Sequence, residues 1–588
     1  MGFFKRRERR AARCYVIAET ARAGEGPRST VTATSGRARM MAGARNRIAM
    51  CGFVFCAAYA LLAGRLAVVS FGGPELVQRT AGAAAEEAGP RPEIVDRNGA
   101  LLAANLPMIA LEIAGREVWD ADETAKALAA AFPAIDEEEL ADKLRDGRYV
   151  EALTGLTPSE QEKAFALGLP GVRFAARARR FYPHEHLASH VVGHTEPGRG
   201  GVMGLEAVLD ARAGEASGPL VASIDMRVQQ ALEEELASSM ETFSAEAGWG
   251  AVMDAATGEV IALASFPDFN PNAPGAAPAD WRRNRATYDR YELGSALKPL
   301  TAAAALDAGA AKDSSVYDAR DAYRVAGTAI HDFHGENRML SFSEVIQYSS
   351  NIGAARIAGD LGAERQRAYL KALGLFEALP IELEENRPTE LPPQWGPVET
   401  ATIAYGHGIS VTPLHLLAAI NAVVNGGEYR VPTFLKAEAP RTGRRVFSPE
   451  TSAAMRRVLR RVVTDGTASF AEAAGYFPIG KTGTADKPAA GGYDRNARIA
   501  TFVGAFPGYA PRYTVLVSLD NPQGTKASYG FATAGWTAAP LFARIVERIA
   551  PILGVMPVNE ETALAGFFED YNDRAEIHSL ASAVGGAR

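Results

Sequence analysis

A chain of 588 residues with 47% apolar and 22% charged side chains is too long for one ordinary core and too apolar to be disordered, so at least two folded domains are expected. The net charge of -7 hides an asymmetry, because residues 1–47 carry twelve Lys/Arg against three Glu. All three cysteines (Cys14, Cys51 and Cys56) lie near the N-terminus, which excludes disulfides and thiolate metal sites from the rest of the chain.

The segment before Met40 and Met41, either of which could be the true start, is rich in Arg, Ala and Ser without periodicity. It reads as a disordered tail within residues 1–47. Ile48 to Gly64 carries no charge, and the apolar run resumes beyond Arg65 as far as Phe71. A membrane-crossing helix needs about 20 mostly apolar residues, so 48–71 is predicted to be one, with Arg65 snorkelling to the interface. The basic flank precedes it, which places the N-terminus in the cytoplasm and the remainder outside. A cleaved signal peptide is disfavoured, because its apolar core is usually ~7–15 residues and no small-x-small site follows directly. A basic arm followed by such a segment is a membrane flank, not a nucleic-acid grip.

Residues 72–90 read as a juxtamembrane linker. The exterior region to about 220 holds a strand-like Glu93–Asn105 and helices around Glu123–Phe132 and Pro158–Gly168. Near Val221 a second region begins. Asp225 is an N-cap candidate for a helix with the apolar face Val228, Ala231, Leu232, Leu236 and Met240. A hairpin follows, GAVMD–AATG–EVIALAS, ending at Ser265. Far downstream, Thr501–Phe506 and Tyr513–Leu519 read as a second hairpin, before a terminal helix from about Gly535 to Leu553. Strands at both ends around a helical middle imply one α+β domain over 221–555, its sheet assembled from both chain ends with an all-helical insert. Residues 556–588 are expected to be a loosely attached tail. No internal repeats are present.

Three short motifs lie in this second region. Ser295 and Lys298 stand three apart in a helix-prone stretch, with Pro299 suited to a helix start. A serine hydroxyl is a poor nucleophile until a neighbour takes its proton, and a lysine can do so only if its pKa falls far below about 10.4. Burial, with a second cation such as Lys481 nearby, would achieve that. Ser349 and Asn351 offer a hydroxyl to relay a proton and an amide to hold a substrate backbone. In Lys481-Thr482-Gly483-Thr484, the glycine admits a close backbone approach, while Lys481, Thr482 and Thr484 suit the terminal carboxylate of an extended peptide laid along a sheet edge. Each motif alone is weak, since Ser-Ser-Asn is ordinary cap sequence and Thr-Gly an ordinary turn. His186 and His190 stand four apart, yet Leu187 occupies the place where HExxH needs Glu, so no metal is expected. The glycines of PGRGGVMG lack a strand-to-helix setting for a nucleotide. His331 and His334 in IHDFHG could line a cleft, though a structural role is the preferred reading.

In this order and spacing, the stretches YELGSALKP, SEVIQYSSNIG, AYGHGISVTPL, GKTGTADK and FVGAFPGYAP resemble the class B penicillin-binding proteins, the monofunctional peptidoglycan transpeptidases, in their division-specific alphaproteobacterial branch. Arg91, Asp96, Arg97 and Gly99, then Arg180, Tyr182, Pro183, His190 and Gly193, then Gly204-Leu205-Glu206 are similar to that family's pedestal motifs. The resemblance, over about 91–555, implies an α+β penicillin-binding/β-lactamase-like serine transpeptidase domain, an antiparallel sheet sandwiched with helices plus an all-helical subdomain. It would stand on an elongated dimerisation-type pedestal (72–220) behind one transmembrane helix. It further implies that Ser295 is acylated by the penultimate D-Ala of a stem peptide, with Lys298 as base and Ser349 and Asn351 as relay and clamp. Lys481, Thr482 and Thr484 would bind the terminal carboxylate, and the N–H groups of Ser295 and Thr484 would form the oxyanion hole. Implied partners are D-Ala-D-Ala stem peptides, β-lactams, the inner membrane, a septal glycosyltransferase and other divisome proteins, with no cofactor and no nucleic acid. The catalytic domain would be periplasmic. Two positions depart from the family: Leu293 stands where many relatives have Pro, and Glu185 where Gly is common. A β-lactamase would be shorter and lack a pedestal, and a bifunctional synthase needs more chain before it. An elongation-specific paralogue, a penicillin-sensing receptor and a non-catalytic division scaffold are the competing readings.

Overall fold

The computed structural model describes residues 91–212, 218–439, 441–489 and 492–569, together with Met50, Phe55, Cys56, Ala57, Tyr59 and Ala60. Those six are helical and exposed. The remainder of the expected membrane helix 48–71, the basic tail 1–47 and residues 570–588 lie outside the described residues, among which no helix is long and apolar enough to cross a membrane.

The chain enters through a short strand, β1 (Ile94–Val95), turns at Asp96–Gly99 and runs back as the long strand β2 (Leu101–Ala114). The Asp96 carboxylate closes the turn by accepting the N–H groups of Asn98 and Ala100, each at 2.8 Å. Strands β3 (Tyr149–Thr154) and β4 (Val172–Phe181) pair with β2, antiparallel. Helices Ala121–Ala131, Glu137–Arg145 and Pro158–Ala166 close a small separate core of Leu111, Ile113, Leu128 and Leu140. Both helices expected here are present within two residues at each end, started by the side chains of Asp120 and Thr157 acting as caps.

The three similar stretches of this region converge on one carboxylate. Glu206, on helix α1 (Gly204–Ala211), is wholly buried. It accepts Arg91 Nε and Arg180 Nε, each at 2.6 Å, while Arg91 also reaches Asp210. Glu185 has φ 51°, a left-handed conformation that L residues adopt at a cost, which is the physical reason glycine suits that position. The glycine-rich PGRGGVMG supplies the turn and second strand of a two-stranded ribbon, Thr195–Glu196 against Gly200–Gly201, leading into α1. His190, buried against Phe269, contacts the Trp281 carbonyl at 2.7 Å, and burial lowers its pKa to about 4. His186 contacts Asp268.

Strand β5 (Leu220–Val221) pairs parallel with β1 and carries the chain into the second region. Helix α2 (Met226–Thr242) is capped by Asp225, which accepts Arg227 N at 3.0 Å, and it buries Val228, Ala231, Leu232 and Leu236 as the periodicity predicts. Strands β6 (Ala247–Asp254) and β7 (Val260–Phe266) form the first hairpin. From the far end come β8 (Ile479–Ala489), β9 (Gly492–Phe506) and β10 (Tyr513–Asp520), giving one antiparallel sheet in the order β8-β9-β10-β6-β7. Helix α2 and helix α7 (Ala538–Ile552) pack together against the sheet. Between the two strand groups run α3 (Lys298–Asp307), α4 (Asn351–Leu361), α5 (Pro413–Val424) and α6 (Pro449–Thr464). Helix α3 is buried on all sides from Lys298 to Ala305, and its four consecutive alanines let α4, α5 and α6 approach. The C-terminal segment begins with a helix, Glu560–Glu569, that buries Ala563 and Phe567 against the body, the latter beside Tyr509.

Removing one partner of a buried ion cluster costs about 3–5 kcal/mol, because the remaining charge is left uncompensated. Arg180→Ala should therefore lower the thermal unfolding midpoint clearly. Arg173→Ala, whose partner Glu117 is half exposed, should leave it within a degree or two.

Candidate active site

Ser295 sits in a 3-10 turn, Gly294–Leu297, at the point where the chain enters α3. Lys298 is the first residue of that helix and is wholly buried. Lys481 on β8 is equally buried. Ser349 precedes α4, and Asn351 opens it. Ser295, Ser349, Asn351, Thr482 and Thr484 line one cleft of about 810 Å³. The tight join between turn and strand depends on Gly483: a Cβ there would meet the Leu293 carbonyl oxygen at 2.4 Å. On the other side, Gly406 passes so close that a Cβ would meet Gly294 O at 2.1 Å.

The two lysines meet at Ser349. Lys298 Nζ donates to the Ser349 carbonyl and to Asn351 Oδ1 (2.8 Å), and lies 3.1 Å from Ser349 Oγ. Lys481 Nζ reaches the same Oγ at 2.9 Å and the Thr482 carbonyl at 3.0 Å. Burial and the Lys481 charge hold the Lys298 pKa well below the ordinary lysine range. Burial alone lowers Lys481 to about 7. Keeping an amine neutral near pH 7 against an ordinary value near 10.4 requires about 4–5 kcal/mol, which desolvating one ammonium supplies. A neutral amine has two N–H groups, and the Ser349 and Asn351 carbonyl oxygens, which can only accept, take both. Its lone pair is left for a hydroxyl.

One expected contact is not made: the hydrogen bonds of Lys298 go to Ser349 and Asn351, and none joins it to Ser295. The i, i+3 spacing does bring both residues to one end of the helix, but the carbonyl acceptors of the facing turn draw the amine across. Ser349 has φ 61°, a strained backbone for serine, and that conformation is what turns its carbonyl to Lys298.

Around Thr482 and Thr484 the cleft is polar. Thr467 Oγ1 lies 2.7 Å from Thr482 Oγ1, and Thr484 Oγ1 accepts Ala534 N at 3.0 Å. Glu292, three residues before Ser295, accepts Tyr493 Oη at 2.9 Å and Gly408 N at 3.0 Å, with His407 Nδ1 3.3 Å away. It thereby ties the serine turn to the β8–β9 hairpin and to the Gly406–Gly408 loop. Nothing in the sequence gives Glu292, Thr467 or His407 a role, yet all three line the cleft, and so does His334, the less favoured of its two sequence readings. Among the described residues no cluster of His, Cys, Asp and Glu suits a metal ion.

A serine at a helix entrance, a buried lysine held neutral beside a second lysine, and a polar strand at the cleft edge together define an acyl-transferring serine enzyme. Residues 248–547 match the penicillin-binding protein transpeptidase domain, and residues 86–211 the penicillin-binding protein dimerisation domain. The chain belongs to the penicillin-binding protein transpeptidase family, in its class B division branch. It is 41% identical to the probable peptidoglycan D,D-transpeptidase FtsI of Caulobacter vibrioides over 81% of this chain and 84% of that protein. It is 29% identical to the peptidoglycan D,D-transpeptidase FtsI of Escherichia coli K12 over 86% and 92%. Among solved structures, the transpeptidase domain of Burkholderia pseudomallei penicillin-binding protein 3 matches with a TM-score of 0.52 and 34% identity, covering 57% of this chain and 98% of that one.

If neutral Lys298 is the base, acylation by a β-lactam fails as pH falls through its depressed pKa, since protonation fills the lone pair. The second-order acylation rate should thus rise along an acidic limb lying far below the ordinary lysine range. In Lys298→Arg, whose guanidinium cannot lose its proton, the rate should fall by about 10²–10⁴, the usual worth of a general base.

Proposed function

We propose that the chain is a peptidoglycan D,D-transpeptidase that cross-links stem peptides at the division septum through a Ser295 acyl-enzyme and is a target of β-lactams. The observation that carries this reading is the pair of buried amines around Ser349, beside a serine at the mouth of the same cleft.

In this reading the donor peptide lies along β8, the edge strand of the sheet, with its terminal carboxylate at Thr482, Thr484 and the Lys481 charge. Lys298 takes the Ser295 proton once its lone pair turns from Ser349 Oγ to Ser295 Oγ. The serine oxygen attacks the penultimate D-Ala carbonyl carbon, and the N–H groups of Ser295 and Thr484 hold the oxyanion. The C–N bond to the terminal D-Ala then breaks as its nitrogen receives a proton through Ser349, which bridges the two lysines. Asn351 clamps the donor backbone. A neighbouring stem-peptide amine attacks the resulting ester, gives up its proton by the reverse route and releases Ser295 with a new amide bond. The basic flank and apolar stretch 48–71 support a single-pass inner-membrane anchor with this domain in the periplasm. A septal glycosyltransferase and other divisome proteins would be its neighbours there.

Labelling with a fluorescent penicillin tests the assignment. Ser295→Ala should lose the label, whereas Ser350→Ala should keep it; a label that survives Ser295→Ala would overturn the nucleophile. Failure of Ser295→Ala to support septation in a depletion strain is also expected. Normal division would favour a scaffold over an enzyme.

A further inference from the structure

The loop between the short strands Thr328–Ile330 and Met339–Ser341 contains Asp332, a residue with no part in the roles assigned above. Its carboxylate accepts Ser350 Oγ at 2.7 Å, Ile352 N at 2.9 Å and the N–H of Asn351. Ser350 Oγ in turn accepts Gly353 N at 2.9 Å. The carbonyl of the adjoining His331 accepts Asn351 Nδ2 at 3.1 Å.

We propose that Asp332 is a positioning residue for the reaction, holding the Ser349–Asn351 turn so that its oxygens face the Lys298 amine. Two geometric facts carry this. An asparagine amide can present either end, and a carbonyl can only accept, so the His331 carbonyl fixes Nδ2 on its own side. That leaves Asn351 Oδ1 for Lys298 Nζ at 2.8 Å. Ser349 holds a left-handed φ of 61°, and such strain persists only where neighbours over-determine it. Asp332 binds the next three residues from behind, while the two lysines hold Ser349 in front. The turn is clamped between them.

A second consequence is electrostatic. The charged groups facing Lys298 are Lys481, from β8, and Asp332, from this loop. The cation disfavours the protonated amine and the anion favours it. Removing the anion should therefore keep Lys298 neutral to lower pH. An aspartate that does not act on Lys298 would leave that limb where it is.

This inference rests on Lys298 being the base, and the test keeps the two apart. The rate of acylation by a fluorescent penicillin is measured against pH for the full chain and for Asp332→Asn and Asp332→Glu, with the melting temperature of each. Asp332→Asn should acylate about a hundredfold more slowly, the scale of a reacting group misplaced by an ångström, with its acidic limb displaced to lower pH. Asp332→Glu, which keeps the charge but shifts it by a methylene, should be slowed with its limb close to that of the unaltered chain. An Asp332→Asn rate equal to that of the unaltered chain, or a slower one with the limb in place, would overturn the proposal. A limb absent from the unaltered chain would remove Lys298 as base, and this proposal with it.

Discussion

Two lysine amines are buried against one serine hydroxyl. Lys298 and Lys481 are both wholly enclosed, and Ser349 Oγ lies 3.1 and 2.9 Å from their nitrogens. Two ammonium ions could not share that space without large cost, since both are shut off from bulk solvent and each raises the energy of the other. The site escapes by discharging at least one amine, which is the state that serine activation requires. Burial that would be a liability elsewhere is here what keeps an amine neutral.

The surrounding architecture serves that burial. Lys298 lies at the head of a helix enclosed on every side, and Lys481 lies on the edge strand beside it. The helix comes from the middle of the chain and the strand from near its end, joined where Gly483 admits the serine turn. Glu292 closes the third side by binding Gly408 and Tyr493. Below, the turn at Asp96 links the two regions: its carboxylate also accepts Met226 N at 3.2 Å, and Asn98 reaches Asp225. The stretches 91–99, 180–193 and 204–206, scattered along the chain, serve an ionic cluster and a joint, not chemistry.

Much of the fold was legible in the residues. Alternating apolar residues marked the β6–β7 and β9–β10 hairpins, and Asp225 marked the start of α2, because caps and periodicities act within a few neighbouring positions. The origin of the sheet in both chain ends followed from where those strands fall. The reach of β9 back to Gly492, pairing with β8, was not legible, since the segment between Ala485 and Ala500 is polar and carries no apolar alternation. The helix at Glu560–Glu569 was likewise missed, because what holds it is contact with Tyr509, fifty-odd positions away.

At the site, the residue types and their order singled out Ser295, Lys298, Ser349, Asn351, Lys481, Thr482 and Thr484; the structure lines one cleft with Ser295, Ser349, Asn351, Thr482 and Thr484 and buries both lysines against Ser349. The need for a neutral lysine beside a second cation also followed from chemistry alone. What the sequence could not determine was which atom Lys298 holds. Its partner Ser349 is 51 positions distant, and Asp332 lies 18 positions from Ser350. Helical spacing speaks only for residues three or four apart. Contacts across such separations are set by how α3, α4 and β8 pack, and that packing alone placed the amine against Ser349 instead of Ser295.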